Sequence, residues 1–199
     1  MKCGKSCVLT LVLGLVLVLA GFYFSKSLIP TQIDDPIEVS IDTSEPKTTV
    51  NLVTTANPDD ALLKMESVEG IGCPLAFNLS DTALLSLPQQ TFKTHHTWSK
   101  EADEFSGPLL QDVLNQVCPK ASKLKLKAIN DYQVDLDFDK IKQYEPVLAL
   151  SMNGERLTIR NKGPIWVMIP FDKHTSVPER SLDEALVWQL SHIKILETK

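Results

Sequence analysis

The chain has no surplus of positive charge. Lysine and arginine number 20 against 25 aspartates and glutamates, giving a net charge of −5 and a pI near 5.4. That balance leaves no basic face for nucleic acid. The one lysine cluster, Lys120, Lys123, Lys125 and Lys127, precedes Asp135, Asp137 and Asp139, and reads as a solvated, charge-paired surface. Glycine-dependent signatures are missing as well. There is no Gly-x-Gly-x-x-Gly, no phosphate loop and no Gly-x-Ser-x-Gly elbow, which excludes the usual dinucleotide, nucleotide-hydrolysing and α/β-hydrolase chemistries. His95, His96, His174 and His192 show no His-Glu-x-x-His spacing, so no metal site is expected. Ser99 and Ser106 lie near His95 and His96, with Glu101, Asp103 and Glu104 between them. Without the elbow that grouping assigns no catalytic residue, and the acidic run reads as a solvated loop. No internal repeat or low-complexity tract is present.

The N-terminus lacks the marks of a removed leader. Lys2 and Lys5 precede an apolar run from Val8 to Phe24, intermediate between a signal-peptide core and the ~20 residues of a full span. Gly21-Phe22-Tyr23-Phe24 offers no small-x-small cleavage site, and no cysteine follows Leu19-Ala20-Gly21 to make a lipoprotein. Residues 1–24 are therefore expected to be an uncleaved anchor, with a cleaved signal as the alternative. The lysines hold the N-terminus inside and place the rest outside. In a bacterium this is a single-pass inner-membrane protein with its domain in the periplasm. Cys73 and Cys118 fall in that exported part, where a disulfide persists. Such a bridge closes a loop of roughly 45 residues, for about 4 kcal/mol in the chain-entropy model. Two buried thiols are the alternative.

Residues 25–60, rich in Thr, Ser, Asp and Pro, read as a flexible tether. Residues 61–199 form the domain. Leu62 to Val68 reads as a first strand, and Ser80 opens a short helix that Pro88 stops. Gln90 to His95 reads as a strand. Ser106 or Gly107 is expected to cap a helix with Pro108 in its first turn and Leu110, Val113, Leu114 and Val117 on one face. The period then changes to two. Leu124, Leu126 and Ala128 alternate with lysines, and Val134, Leu136 and Phe138 with aspartates, around a turn at Asn130-Asp131-Tyr132. Asn153-Gly154 marks a hairpin that Arg156 to Arg160 completes, Ile165 to Ile169 reads as a buried strand, and Ser191 to Leu196 as the last strand. The class is α+β, a mixed, curled sheet with few short helices.

The segment Lys93-Thr94-His95-His96-Thr97-Trp98-Ser99, followed by Phe105-Ser106-Gly107-Pro108-Leu109-Leu110, resembles a landmark of the sulfite-oxidase-like molybdopterin-binding family. There a strand ends in Arg-Cys-x-x-x-Trp-Ser and a Gly-Pro-Leu step follows. The segments 148–155, 163–170 and 188–195 are similar to further family strands, so the resemblance covers residues 62–195. It implies that fold and a molybdopterin cofactor whose metal is held by cysteine thiolate. Here that cysteine is Thr94, a poor ligand for a metal that wants soft sulfur. The pterin-contacting segment of the family is glycine-bearing, whereas residues 171–187 have no glycine.

The expected function is thus an exported, membrane-tethered binding or interaction module with a molybdopterin-oxidoreductase-like fold and no working molybdenum centre. No cofactor is expected; molybdopterin enters by resemblance alone. The alternative is a molybdopterin-dependent oxidoreductase with a non-cysteine ligand. Thr94, His95, His96 and Ser99 are the ligand-pocket candidates, set where the fold's cofactor hollow opens, and adjacent strand histidines face opposite ways. Arg156, Arg160 and Lys162 are anion-binding candidates, with a solvated hairpin face as the alternative. Trp98, Trp166 and Trp188 are read as core. The partners are the membrane, through residues 1–24, and an exported protein or small ligand.

Overall fold

Alternation of apolar and charged residues builds the sheet on which the domain rests. The computed structural model describes residues 60–174 and 179–199; the anchor run and residues 25–59 lie outside the described residues. β1 (Leu63–Ser67) buries Leu63, Met65 and Ser67 and turns Lys64 and Glu66 outward. It pairs antiparallel with β2 (Ala76–Leu79). Ser80 then caps α1 (Asp81–Ser86) by accepting the Ala83 N–H at 3.1 Å. β3 (Gln89–His96) and β4 (Ser99–Pro108) form a long hairpin around Thr97-Trp98. The apolar stripe Leu110, Val113, Leu114 and Val117 of α2 (Leu110–Val117) is buried.

β5 (Ala121–Ala128) and β6 (Gln133–Asp137) pair antiparallel, with Lys125 opposite Asp135. Lys125 reaches Asp135 at 2.9 Å and Lys127 reaches Asp131 at 2.9 Å, which neutralises much of the lysine row. After α3 (Phe138–Ile141) come β7 (Val147–Ala149), β8 (Ser151–Met152), β9 (Glu155–Arg156) and β10 (Trp166–Met168). Asn153 and Gly154 both adopt positive φ, as a two-residue hairpin turn requires. β11 (Leu190–Thr198) closes the fold.

Among the described residues the strands form three sheets: β2-β1-β11-β5-β6, β3-β4-β8-β9, and the pair β10-β7. In the first, β11 runs parallel to β1 and antiparallel to β5, so the sheet is mixed, with few short helices around it. Leu190, Ile193 and Ile195 of β11 are fully buried beside Leu124 and Leu126. Each contributes roughly 1.5–3 kcal/mol by leaving water.

Three local expectations need correction. The acidic run Glu101 to Glu104 belongs to β4, where Asp103 and Glu104 sit opposite Thr94 and Lys93 of β3 and the Glu101 carbonyl accepts from the Ser99 hydroxyl. Neither Ser106 nor Gly107 caps a helix. β4 continues through Pro108, and α2 starts at Leu110 after Leu109, whose side chain makes no cap. The return of the Asn-Gly hairpin stops at Arg156, and residues Ile159–Asn161 form a 3-10 turn.

Candidate functional site

The motif around Thr94 lies where β3 turns into β4. Register slips between the pairs Thr94–Asp103 and His96–Ser99, with the extra residues on β4. Thr94 and His96 point inward and His95 outward. Thr94 is 0% exposed. Its hydroxyl accepts the Asp172 N–H at 3.2 Å and donates to the His95 carbonyl at 3.1 Å, so it stitches β3 to the turn after β10. On the outer face, His95 meets the same residue, Nδ1 lying 2.9 Å from Asp172 Oδ2. Ser99, half-buried, donates to the Glu101 carbonyl at 2.7 Å.

His96 sits against Phe105 and Trp166, with ring centroids 5.7 and 5.3 Å away. Its tautomer follows from its neighbours. The Trp98 N–H donates to Nδ1 at 3.3 Å, so Nδ1 carries the lone pair and Nε2–H donates to Asp103 Oδ2 at 3.0 Å. Burial holds the His96 pKa below its ordinary value; the Asp103 bond opposes this and the Lys162 charge adds to it. Asp103 is pushed up by burial, but hydrogen bonds from Asn153 and His96 outweigh this and leave it lowered. Asn153 of the hairpin turn donates to Asp103 Oδ1 at 2.7 Å and accepts the Glu104 N–H at 2.8 Å. Both nitrogens of a neutral His96 are engaged, so none is free for a metal. Among the described residues no three His, Cys, Asp or Glu side chains cluster as metal ligands.

The anion candidates go separate ways. Arg156 pairs with Asp81, and Arg160 is exposed. Lys162, in the left-handed conformation with φ 72°, lays its ammonium 4.1 Å from the Trp166 ring centroid and 5.5 Å from that of Trp98. Burial lowers its pKa, against the pull of Asp103.

Of the three tryptophans, Trp166 alone is core: it is fully buried and donates Nε1–H to the Leu186 carbonyl at 3.2 Å. Trp98 and Trp188 are 42% and 36% exposed, contrary to the sequence reading. They meet edge to face, with centroids 5.1 Å apart and planes at 84°. With Tyr132, Asn130, Asp183 and Glu184 they line a cavity of about 210 Å³. Thr97 ties the motif to this cavity by donating its hydroxyl to both oxygens of Asp183, at 2.8 and 2.9 Å. Thr94, His95, His96 and Ser99 do not line it. Asp103, set aside in sequence with the acidic run, reaches His96 across the β3–β4 hairpin, whereas sequence reasoning missed Asp172 and Asp183, which join the motif only through tertiary contacts. The one available signal was indole at both Trp98 and Trp188, and it was attributed to the core.

The sequence model of the family described as oxidoreductase molybdopterin binding domain matches residues 80–172, from Ser80 through β10 to the turn bearing Asp172. Among solved structures, the crystal structure of the sulfane dehydrogenase SoxCD from Paracoccus pantotrophus superposes with a TM-score of 0.50 at 16% identity. The match covers 72% of this chain and 40% of that one, and at this identity it is a likeness of fold. No curated protein matches in sequence.

Proposed function

Since the chain belongs, through residues 80–172, to the oxidoreductase molybdopterin-binding domain family, we propose that it keeps the family fold as a binding module without a molybdenum centre. The reading is carried by Thr94, which stands where the motif resemblance would set the metal-binding cysteine. Its side chain is buried and its hydroxyl is both donor and acceptor in bonds to the protein. The alcohol offers no soft sulfur, and releasing it would break the stitch to Asp172. The cavity beside the motif is no better suited to an anionic pterin phosphate. Its ionisable groups near Trp98 are the acids Asp183 and Glu184, while the Lys162 ammonium rests on indole faces. The residues present do not fit the cofactor.

The module is read as exported and held on the membrane by the run from Val8 to Phe24, with residues 25–60 as tether. The pairing of Cys73 with Cys118, whose Cα atoms are 5.4 Å apart, supports an oxidising compartment. Full-length protein extracted from membranes tests both parts. Elemental analysis should find no stoichiometric molybdenum in the unmodified chain or in Thr94→Cys, and intact mass should include residues 1–24. Molybdenum with an extractable pterin in the unmodified chain would overturn the metal-free reading in favour of the oxidoreductase. A mature mass beginning near Ser25 would refute the anchor.

A further inference from the structure

We propose that the cavity between Trp98 and Trp188 binds a small organic cation bearing a quaternary ammonium group. The inference rests on the metal-free reading above and supplies its ligand class. Three large aromatics stand partly in solvent at one place: Trp98, Trp188 and Tyr132, the last 47% exposed. Clustered aromatic exposure costs a folded chain stability and marks a binding surface. The two indoles stand nearly perpendicular, so one ligand can meet the face of one ring and the flank of the other. Ring faces carry negative potential and attract cations within about 6 Å of the centroid.

Charge selects the sign of the ligand. Asp183 and Glu184 lie on the cavity wall, and no Lys, Arg or His is among its described lining residues. Asp183 is positioned as an acceptor, since the Thr97 hydroxyl donates to its carboxylate. Trp98 already takes an ammonium from the chain itself, that of Lys162. The cavity of about 210 Å³ is smaller than the ~300–1,000 Å³ of drug-sized sites, which suits a compact trialkylammonium head. Methyl groups on nitrogen favour this environment because they pack on indole and need no hydrogen-bond partner.

The test is calorimetric titration of the detergent-extracted full chain with choline, tetramethylammonium and the neutral isostere 3,3-dimethylbutan-1-ol. Both cations should bind one per chain, and the isostere should bind at least about tenfold more weakly. Trp188→Ala and Asp183→Asn should each weaken choline by about tenfold, while Glu101→Gln on the exposed strand should not. Equal affinity for the isostere, or full choline affinity in both site variants, overturns the proposal. If Trp188→Ala fails to fold, the comparison of choline with its isostere on the unmodified chain still decides. Molybdenum analysis of the same sample separates the two readings. A metal-free protein silent to choline up to ~10 mM overturns the cation site alone, whereas stoichiometric molybdenum overturns the metal-free reading.

Discussion

His96 shows how a residue that looks like a ligand becomes a structural part. Burial favours its neutral form, and the Trp98 N–H occupies the nitrogen that a proton would take. Its folded pKa lies below its unfolded value of about 6.5, so the unfolded chain binds the proton more readily. The stabilisation is complete above pH ~6.5 and is lost as pH falls through the folded pKa. Melting temperature should therefore decline as pH drops from 7 toward 5, and His96→Phe should flatten that slope. Part of it will remain, because burial and the nearby Lys64 and Lys127 charges also depress His192. An unchanged slope in His96→Phe would show that His96 does not bind the proton differently in the two states. The alternation of inward and outward side chains at Thr94, His95 and His96 was legible in the sequence, because strand period alone dictates it. The identity of their partners was not. Asp172 and Asp183 lie 77 and 86 residues away from the groups they bond, and nothing local encodes such distances.

At the scale of elements, the crossing of β4 over β7 depends on Gly107. A Cβ there would stand 2.0 Å from the Leu148 carbonyl oxygen and 2.9 Å from the Ala149 Cα, contacts that only backbone movement relieves. Gly107→Ala should cost about 3 kcal/mol in the denaturant midpoint, against about 1 kcal/mol or less for Ser106→Ala. A Gly107→Ala variant as stable as the parent would mean that the two strands separate freely. This contact also explains the misread helix start. Gly-Pro before an apolar helical repeat has the same composition whether it caps a helix or lets two strands touch, and only the partner strand distinguishes them. The period-two stretches behaved differently. β5, β6 and β11 were legible because Leu124, Leu126, Leu136, Ile193 and Ile195 recur on one face with charge on the other. β4 was obscured because its outer half, from Ser99 to Glu104, carries polar residues on both faces.

Across the whole molecule, Cys73 and Cys118 join the turn between β1 and β2 to the end of α2, 45 residues further along the chain. Reducing the bridge should lower stability by about 2–4 kcal/mol and the melting temperature by roughly 10 °C. A Cys73→Ser/Cys118→Ser double variant should melt at the reduced temperature with or without reductant. Identical melting of the parent before and after reduction would show that the bridge adds nothing to the oxidised fold. The strand order has a consequence in time. β1 ends at Ser67, β11 begins at Leu190, and β11 lies between β1 and β5 at the centre of the five-stranded sheet. A ribosome adding ~5–20 residues per second needs on the order of ten seconds to travel from one to the other. Within that interval the β1–β2 pair, and once Asp137 is made the β5–β6 pair, each present an unpaired strand edge to any neighbouring chain. The nascent protein thus depends on being kept apart from its copies until its last strand is made.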